Sequence, residues 1–137
     1  MDIDTELSKI ALREKESQNY DYLADNYQNS KSALSLIAIL YYDLSQGGFP
    51  QYIYNSQGIY LSETLEILDK IKAKTIHKYL SNITEYCVNN SDEYHEFLSS
   101  NFNESNFKNE LWKYSLSYKK ETKNILSEIK SYVQKQI

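Results

Sequence analysis

The sequence predicts an all-α fold, a single-domain bundle of about six or seven helices with a glycine-rich loop between two core helices. All three glycines and the only proline of the 137 residues fall between Ser45 and Gly58. Since glycine and proline are the residues that most often interrupt helices, the rest of the chain is free to be helical. Apolar residues outside this segment recur at helical spacing, and no strand-like alternation is convincing. We expect residues 1–137 to form one domain, without an internal repeat or linker.

The first helix is predicted from an apolar stripe with the spacing i, i+4, i+7 and i+8, formed by Ile3, Leu7, Ile10 and Ala11. Residues 20–29 either extend this helix or form a second short one. A break is predicted at Asn29–Ser32, because small polar residues there suit a helix start. Ser30 or Ser32 is the expected N-cap.

The next helix, residues 32–46, is apolar nearly all round, which is typical of a helix at the centre of a bundle. It is expected to end at Gly47 and Gly48, where glycine adopts a left-handed cap at least cost. Pro50 then lacks the backbone N–H that a continuing helix would need.

Four more helices are predicted after the glycine-rich segment. Ser62 and Ser91 are candidate N-caps, each followed by acidic residues that suit a first helical turn. Between them lies a helix with one apolar face, made of Ile76, Tyr79, Leu80, Ile83, Tyr86 and Cys87. A long closing helix is expected from about Phe107 to Val133.

Charge is distributed unevenly along the chain. The net charge is −4, but residues 1–69 carry −7 and residues 70–137 carry +3. An uneven distribution permits an acidic face, but a solvated surface without function is the simpler explanation, because segregation along the chain need not survive folding. The candidate acidic interaction face consists of Asp2, Glu6, Asp21, Asp25 and Asp43.

The sequence favours a cytoplasmic protein. Cys87 is the only cysteine, so no disulfide can form within the chain. No apolar run approaches the ~18 residues of a membrane span, and the charged N-terminal segment is unlike a signal peptide. We therefore expect no membrane association.

No pattern of catalytic or metal-ligating residues is found. His77, Cys87 and His95 have no metal-site spacing, and the glycines follow a helix, unlike those of a phosphate loop. We expect no catalytic residue, no metal and no cofactor, and hence not an enzyme. The lysines near the C-terminus are interleaved with Glu110, Glu121 and Glu128 in an acidic protein, which argues against direct nucleic-acid binding.

The glycine-rich segment supports two hypotheses. Aromatic residues can fix it in the bundle while amide and hydroxyl side chains bond to its backbone, which would make it a structural element. The same side chains could instead form a binding rim for a protein partner, or a pocket for a small ligand or substrate. The residues in question are Gly47, Gly48, Phe49, Gln51, Tyr52, Asn55, Ser56 and Gly58. A role in oligomerisation through the amphipathic C-terminal helix is a third alternative.

The stretch LYYDLSQGGFPQYIYNS, residues 40–56, resembles the signature of a bacterial domain-of-unknown-function family that includes DNA-mimic proteins. The family pattern is roughly N-G-G-F-x-Q-[FY]-[FY]-x-N-S-x-G. Gln46 stands here in place of the usual asparagine, and Ile53 in place of an aromatic residue. The resemblance extends over about residues 33–135.

The resemblance implies an all-α domain that acts by binding another protein. One type of member presents acidic side chains that imitate DNA phosphates to a DNA-binding protein. For this chain it suggests a DNA-mimic-like regulator or inhibitor of a bacterial protein. The alternative is a small-ligand-binding protein or an enzyme that uses residues 47–58 as a pocket.

Overall fold

Eight helices and no strand occur in the part of the chain that the computed structural model describes, residues 2–122 and 124–137. The all-α prediction is confirmed, but eight helices replace the expected six or seven. In chain order they are α1 (Ile3–Ser17), α2 (Tyr20–Asp25), α3 (Ser30–Ser56), α4 (Leu61–Lys70), α5 (Lys74–Asn89), α6 (Ser91–Ser99), α7 (Asn106–Glu121) and α8 (Leu126–Gln136).

Helix α3 is the centre of the bundle, as its apolar sequence predicts. Every residue from Ser32 to Tyr41 is buried, and the helix packs against α1, α2, α4, α7 and α8. A helix without a polar face must be covered on all sides, which accounts for the ring of neighbours. Within the described residues, no helix combines the length and the apolar character needed to cross a membrane.

The N-cap of α3 is Asn29, so the prediction of Ser30 or Ser32 is wrong by one or more residues. The Asn29 side-chain oxygen accepts hydrogen bonds from the N–H groups of Lys31, at 2.9 Å, and Ser32, at 3.4 Å. Asparagine is among the best N-cap residues, because its carbonyl bonds the N–H groups that the first turn leaves without partners.

The predicted caps of α4 and α6 are shifted in the same way. Ser62 lies inside the first turn of α4, and Ser91 is the first residue of α6 rather than its cap. The acidic residues that follow are placed as expected, with Glu63 in the first turn of α4 and Asp92 and Glu93 in that of α6. Their charge complements the positive end of each helix dipole.

Helix α5 presents the predicted apolar face to the core. Its buried residues are Ile76, Leu80, Ile83 and Cys87, with Tyr79 and Tyr86 partly buried beside them. The helix packs against α4, α6, α7 and α8, and its other side is solvated.

The expected long helix from Phe107 to Val133 is wrong, because two helices occupy this stretch. Thr122, directly after α7, has an extended backbone with φ −143° and ψ 147°. Beyond it the Ser127 hydroxyl donates to the carbonyl of Asn124, at 2.9 Å. Short polar side chains that bond to nearby backbone compete with helix in this way. Lys123 lies outside the described residues.

The break between α7 and α8 places Glu128 at the start of α5. The Glu128 carboxylate accepts the backbone N–H groups of Thr75, at 2.6 Å, and Ile76, at 3.1 Å, and the hydroxyl of Tyr118, at 3.3 Å. Helix α5 has Ala73 at its N-cap position and no side-chain cap of its own. Glu128 therefore supplies the cap from another helix and joins three helices at one carboxylate.

Replacing this carboxylate should destabilise the protein. We expect Glu128→Ala to lower the free energy of unfolding by about 1 to 2 kcal/mol, since two first-turn N–H groups lose their acceptor. Urea denaturation measures the loss. Glu85→Ala, at an exposed position of α5, is the matched control. Equal stability of the two variants would contradict this role of Glu128.

Candidate functional site

The chain bends sharply at Gly47 and Gly48 inside α3. Gly47 has φ −157° and ψ 19°, and Gly48 has φ 70° and ψ −160°, so neither residue is helical. The bend divides α3 into a first arm, residues 30–46, and a second arm, residues 49–56. The structure therefore does not contain the predicted glycine-rich loop, because the residues after the two glycines form a helix.

Gly48 occupies a place where a side chain has no room. A β-carbon there would lie 2.6 Å from Ser115 Oγ and 3.0 Å from Cζ3 of Trp112, both on α7. Its φ and ψ also fall in a region that is essentially restricted to glycine. The close approach lets the N–H of Phe49 donate to Ser115 Oγ, at 2.8 Å. Helix α7 thus caps the second arm of α3.

The bend turns the second arm back toward the first. The side-chain nitrogen of Asn55 lies 3.1 Å from Oδ1 of Asp43, twelve residues earlier. A straight helix would separate their backbones by about 18 Å along its axis. Pro50 fits this geometry, because in the first turn of the second arm its missing N–H leaves no helical bond unmade.

The aromatic side chains of the second arm belong to the core. Phe49 is fully buried, with its ring centroid 5.7 Å from that of Tyr118 and 6.3 Å from that of Tyr79. Tyr52 is also fully buried, 6.0 Å from the ring of Tyr60. Both side chains therefore stabilise the bundle, and neither is exposed to a partner.

Ser56 and Gly58 close the second arm. The Ser56 hydroxyl donates to the carbonyl of Ile53, at 2.8 Å, and accepts from the N–H of Gly58, at 3.3 Å. Gln57 between them is a left-handed C-cap, with φ 49°. Gly58, with φ 75°, continues the turn in a conformation that glycine adopts without strain.

A chain of polar side chains fills the angle between the two arms and α1. Lys15 Nζ of α1 lies 2.7 Å from Asp43 Oδ1, which also accepts from the Asn55 amide. The Gln51 amide in turn donates to Asn55 Oδ1, at 3.0 Å. Gln51 and Asn55, the amides expected at a binding rim, are thus partly buried and bonded within the protein.

Asp43 supplies the carboxylate of this chain of contacts and is deeply buried. Only 1% of its surface is exposed, and its Oδ2 has no hydrogen-bond partner within the described residues. Burial raises the pKa of Asp43, although Lys15 and Asn55 act in the opposite direction. The hydroxyls of Tyr52, Tyr60 and Thr64 are also buried without a partner in the described structure. Removing a carboxylate from water costs more than this single close ion pair returns.

The burial of Asp43 corrects the predicted acidic face. Asp43 faces the interior and cannot meet a partner there, whereas Asp2, Asp21 and Asp25 are exposed. Glu6 is partly buried, and its carboxylate lies 3.8 Å from Lys9 Nζ. The prediction failed because an aspartate is usually expected at the surface, whereas Asp43 lies on a helix that is otherwise apolar and buried.

The residues considered for metal binding or nucleophilic chemistry lie in ordinary structural settings. Cys87 is buried, and burial raises the pKa of its thiol to about 12, so the reactive thiolate is disfavoured. His95 is exposed, with Nδ1 2.7 Å from the carbonyl of Ser91. Within residues 2–122 and 124–137, no three His, Cys, Asp or Glu side chains are grouped as metal ligands.

Three residues that define this site were missed by the sequence analysis. Lys15 neutralises Asp43, Ser115 caps the second arm, and Trp112 lies over Gly48. Trp112 is 42% exposed, and Lys119 Nζ lies 5.5 Å from its ring centroid. A serine on the apolar stripe between Leu111 and Tyr118 was the available signal for Ser115. Nothing in the sequence distinguishes Lys15 from an ordinary exposed lysine of a helix.

Alanine at position 48 should be far more harmful than alanine at another glycine. We expect Gly48→Ala to lower the free energy of unfolding by about 3 kcal/mol or more, because strain and overlap with α7 add together. Gly58→Ala is the control, since its φ is also positive but its neighbour is only the Tyr94 hydroxyl at 3.0 Å. That change should cost about 1 kcal/mol. Similar denaturation midpoints for both variants would contradict the proposed close contact.

The raised pKa of Asp43 makes its contribution to stability depend on pH. The folded protein binds this proton more tightly than the unfolded chain. Stability from this group is therefore lost as pH rises from the unfolded value, near 3.9, through the folded pKa. Asparagine cannot ionise, so Asp43→Asn should gain stability relative to wild type between about pH 3.5 and pH 7.

Urea denaturation of both proteins across this range measures the effect. Asp21→Asn, at an exposed position, controls for the loss of one negative charge. The difference in free energy of unfolding between wild type and Asp43→Asn could instead stay constant with pH, or move in favour of wild type at neutral pH. Either result would contradict the prediction and show that Lys15 and Asn55 offset or outweigh the cost of burial.

The comparisons with known proteins give one match. No curated protein and no solved structure matches the chain. A family described as DMP19-like protein matches residues 25–136, which include every helix except α1 and most of α2. This span agrees closely with the 33–135 expected from the resemblance. Since the match covers most of its length, the chain belongs to the DMP19-like protein family.

Proposed function

We propose that this chain is a non-enzymatic protein-interaction domain that regulates or inhibits a bacterial DNA-binding protein by imitating DNA. Membership of the DMP19-like family is the observation that carries the proposal, because DMP19 is a family of DNA mimics. The partner would be a basic protein, and the recognition surface an acidic one.

The charge distribution supports a basic partner. The first 69 residues carry a net charge of −7. Asp2, Asp21 and Asp25 are exposed, and none of the three forms an ion pair with a lysine or arginine of the described chain. Charges left exposed and unpaired can act on an approaching partner, and their field steers its association.

The site around the bend supports this function indirectly. Gly48, Phe49 and Tyr52 are buried, and Gln51 and Asn55 bond within the chain. These contacts make the segment a rigid scaffold. Recognition is then left to side chains that stand on the outer surface of the helices.

A second candidate function, small-ligand binding beside the bend, has one observation in its favour. A cavity of about 200 Å³ lies between α3, α7 and residues 124–125, which precede α8, with Gly48 and Phe49 in its wall. Gln51, Tyr52 and Asn55, the residues expected to orient a ligand, do not line it. A ligand there would meet Ser45 and Lys119 instead.

Charge reversal should separate the two functions. We expect the wild-type protein to capture a basic partner from host lysate at low salt and to release it at high salt or on addition of duplex DNA. Asp2→Lys/Asp21→Lys/Asp25→Lys should weaken capture at least about tenfold, because like charges now face the partner. Affinity capture with quantitative mass spectrometry measures both effects.

Two controls make the result interpretable. Glu85→Lys/Glu93→Lys/Glu96→Lys reverses three exposed charges on α5 and α6 and should leave capture nearly unchanged. Gln51→Ala/Asn55→Ala tests the segment near the bend, with circular dichroism to verify folding. Capture that resists salt and DNA, or that is lost only in the folded Gln51→Ala/Asn55→Ala variant, would contradict DNA mimicry.

A further inference from the structure

Four buried polar side chains that lack a hydrogen-bond partner come from the bent helix α3 and the start of α4. The atoms are Asp43 Oδ2 and the hydroxyl oxygens of Tyr52, Tyr60 and Thr64. Asp43 lies on the first arm of α3, Tyr52 on the second arm, and Tyr60 and Thr64 at the start of α4. The described chain has one further buried side-chain atom of this kind, the Tyr132 hydroxyl. Folded proteins pair almost all of their buried polar groups, so four unpaired ones in neighbouring segments call for an explanation.

Ring distances and charge effects place these four groups close together. The ring centroids of Tyr52 and Tyr60 are 6.0 Å apart, and the ring of Tyr20 lies 5.7 Å from that of Tyr60. Burial raises the pKa of the Tyr52 and Tyr60 phenols, and the charge of Asp43 acts on both in the same direction. The Thr64 hydroxyl is near enough to Tyr52 to oppose the rise in its pKa. The four polar atoms therefore belong to one buried cluster.

Asp43 and Tyr60 interact without bonding to each other. The Asp43 charge acts on the Tyr60 phenol, yet neither Asp43 Oδ2 nor the Tyr60 hydroxyl has a hydrogen-bond partner in the described structure. Two oxygen atoms that are too far apart to bond directly can share one water, because each hydrogen bond to it spans about 2.8 Å. A bridging water would satisfy both atoms at once.

The chemistry of the cluster favours a neutral ligand that both donates and accepts hydrogen bonds. Asp43 Oδ1 already lies 2.7 Å from Lys15 Nζ and accepts from the Asn55 amide, so Oδ2 is the oxygen that still needs a donor. The Tyr60 hydroxyl can donate, and it needs an acceptor. Because Lys15 already supplies the positive charge that pairs with Asp43, a second cation has no further negative charge to meet there.

We propose that the cluster between the two arms of α3 and the start of α4 is a binding site for an internal water molecule. The water donates one hydrogen to Asp43 Oδ2 and accepts the hydroxyl hydrogen of Tyr60. Its second hydrogen is directed to the hydroxyl oxygen of Tyr52. Three hydrogen bonds of this kind are typical of a buried water. The water thereby connects α4 to the polar contacts that hold the bend.

This site is independent of the proposed function. Asp43, Tyr52, Tyr60 and Thr64 are all buried, so none of them belongs to the exposed acidic surface that a basic partner would meet. Loss of the water would leave the exposed charges of Asp2, Asp21 and Asp25 unchanged. The proposal and DNA mimicry can therefore fail separately.

A high-resolution crystal structure of the wild-type protein tests the proposal directly. We expect one ordered water within hydrogen-bond distance of both Asp43 Oδ2 and the Tyr60 hydroxyl. A direct hydrogen bond between these two oxygens would overturn the proposal, because no bridge is then needed. Well-ordered side chains with no water between them would overturn it as well.

The variant Tyr60→Phe tests the same bond in solution, through the sign of its effect on stability. If the hydroxyl donates to a buried water, its removal should lower the urea midpoint of unfolding by about 0.5 M, because a hydrogen bond is lost. If the hydroxyl is buried without any partner, its removal should raise the midpoint, since an unsatisfied polar group opposes folding. An unchanged or higher midpoint would overturn the proposal.

Tyr22→Phe is the matched control for this change. It removes the same hydroxyl from a tyrosine that is 59% exposed, and its midpoint should equal that of wild type. A midpoint lowered only in Tyr60→Phe, together with a bridging water in the crystal, would support the site. An equal loss in both variants would show that the effect does not come from the buried cluster, and would overturn the assignment.

Discussion

The close approach of Gly48 to α7 is the contact on which the rest of the structure depends. Because Gly48 has no β-carbon, Ser115 Oγ can accept the N–H of Phe49, and the second arm of α3 begins at that bond. The second arm then returns toward the first and carries Phe49 and Tyr52 into the core. If α3 were straight, these rings would project away from the core, and the helices around them would lose those packing contacts.

The bend also explains why a carboxylate is buried at the centre of an apolar helix. Asp43 is reached by Lys15 from α1 and by Asn55 from the second arm, so one side chain links three segments. Such a buried pair contributes little net stability, since desolvation opposes the attraction. Its effect is on geometry, because any other angle between the arms would leave Asp43 without one of its two partners.

Sequence reasoning succeeds where apolar periodicity decides the structure and fails where a distant contact does. The core position of α3 and the buried face of α5 follow from pattern alone. The conformation of residues 47–58 does not follow from pattern, because two adjacent glycines and a proline predict a loop as readily as a bent helix. Ser115 decides between them from 66 residues away. The end of α7 at Thr122 is equally hidden, since it depends on local side-chain bonds and on the cap that Glu128 provides.

The family match covers most of the helical scaffold but only part of the acidic surface that the proposed function needs. It begins at residue 25, so the exposed acids Asp2 and Asp21 precede it. The bend and most of its polar contacts lie inside the match, but Lys15 and the rest of α1, which packs against α3, precede it. Family membership therefore supports the bundle directly, and any acidic surface supplied by Asp2 and Asp21 is an addition to it. The acids of α4 differ in this respect, because Glu63, Glu66 and Asp69 lie within the matched region. The matched region thus offers a basic partner exposed acids of its own, Asp25 and those of α4 and α6, whereas Asp2 and Asp21 lie outside it.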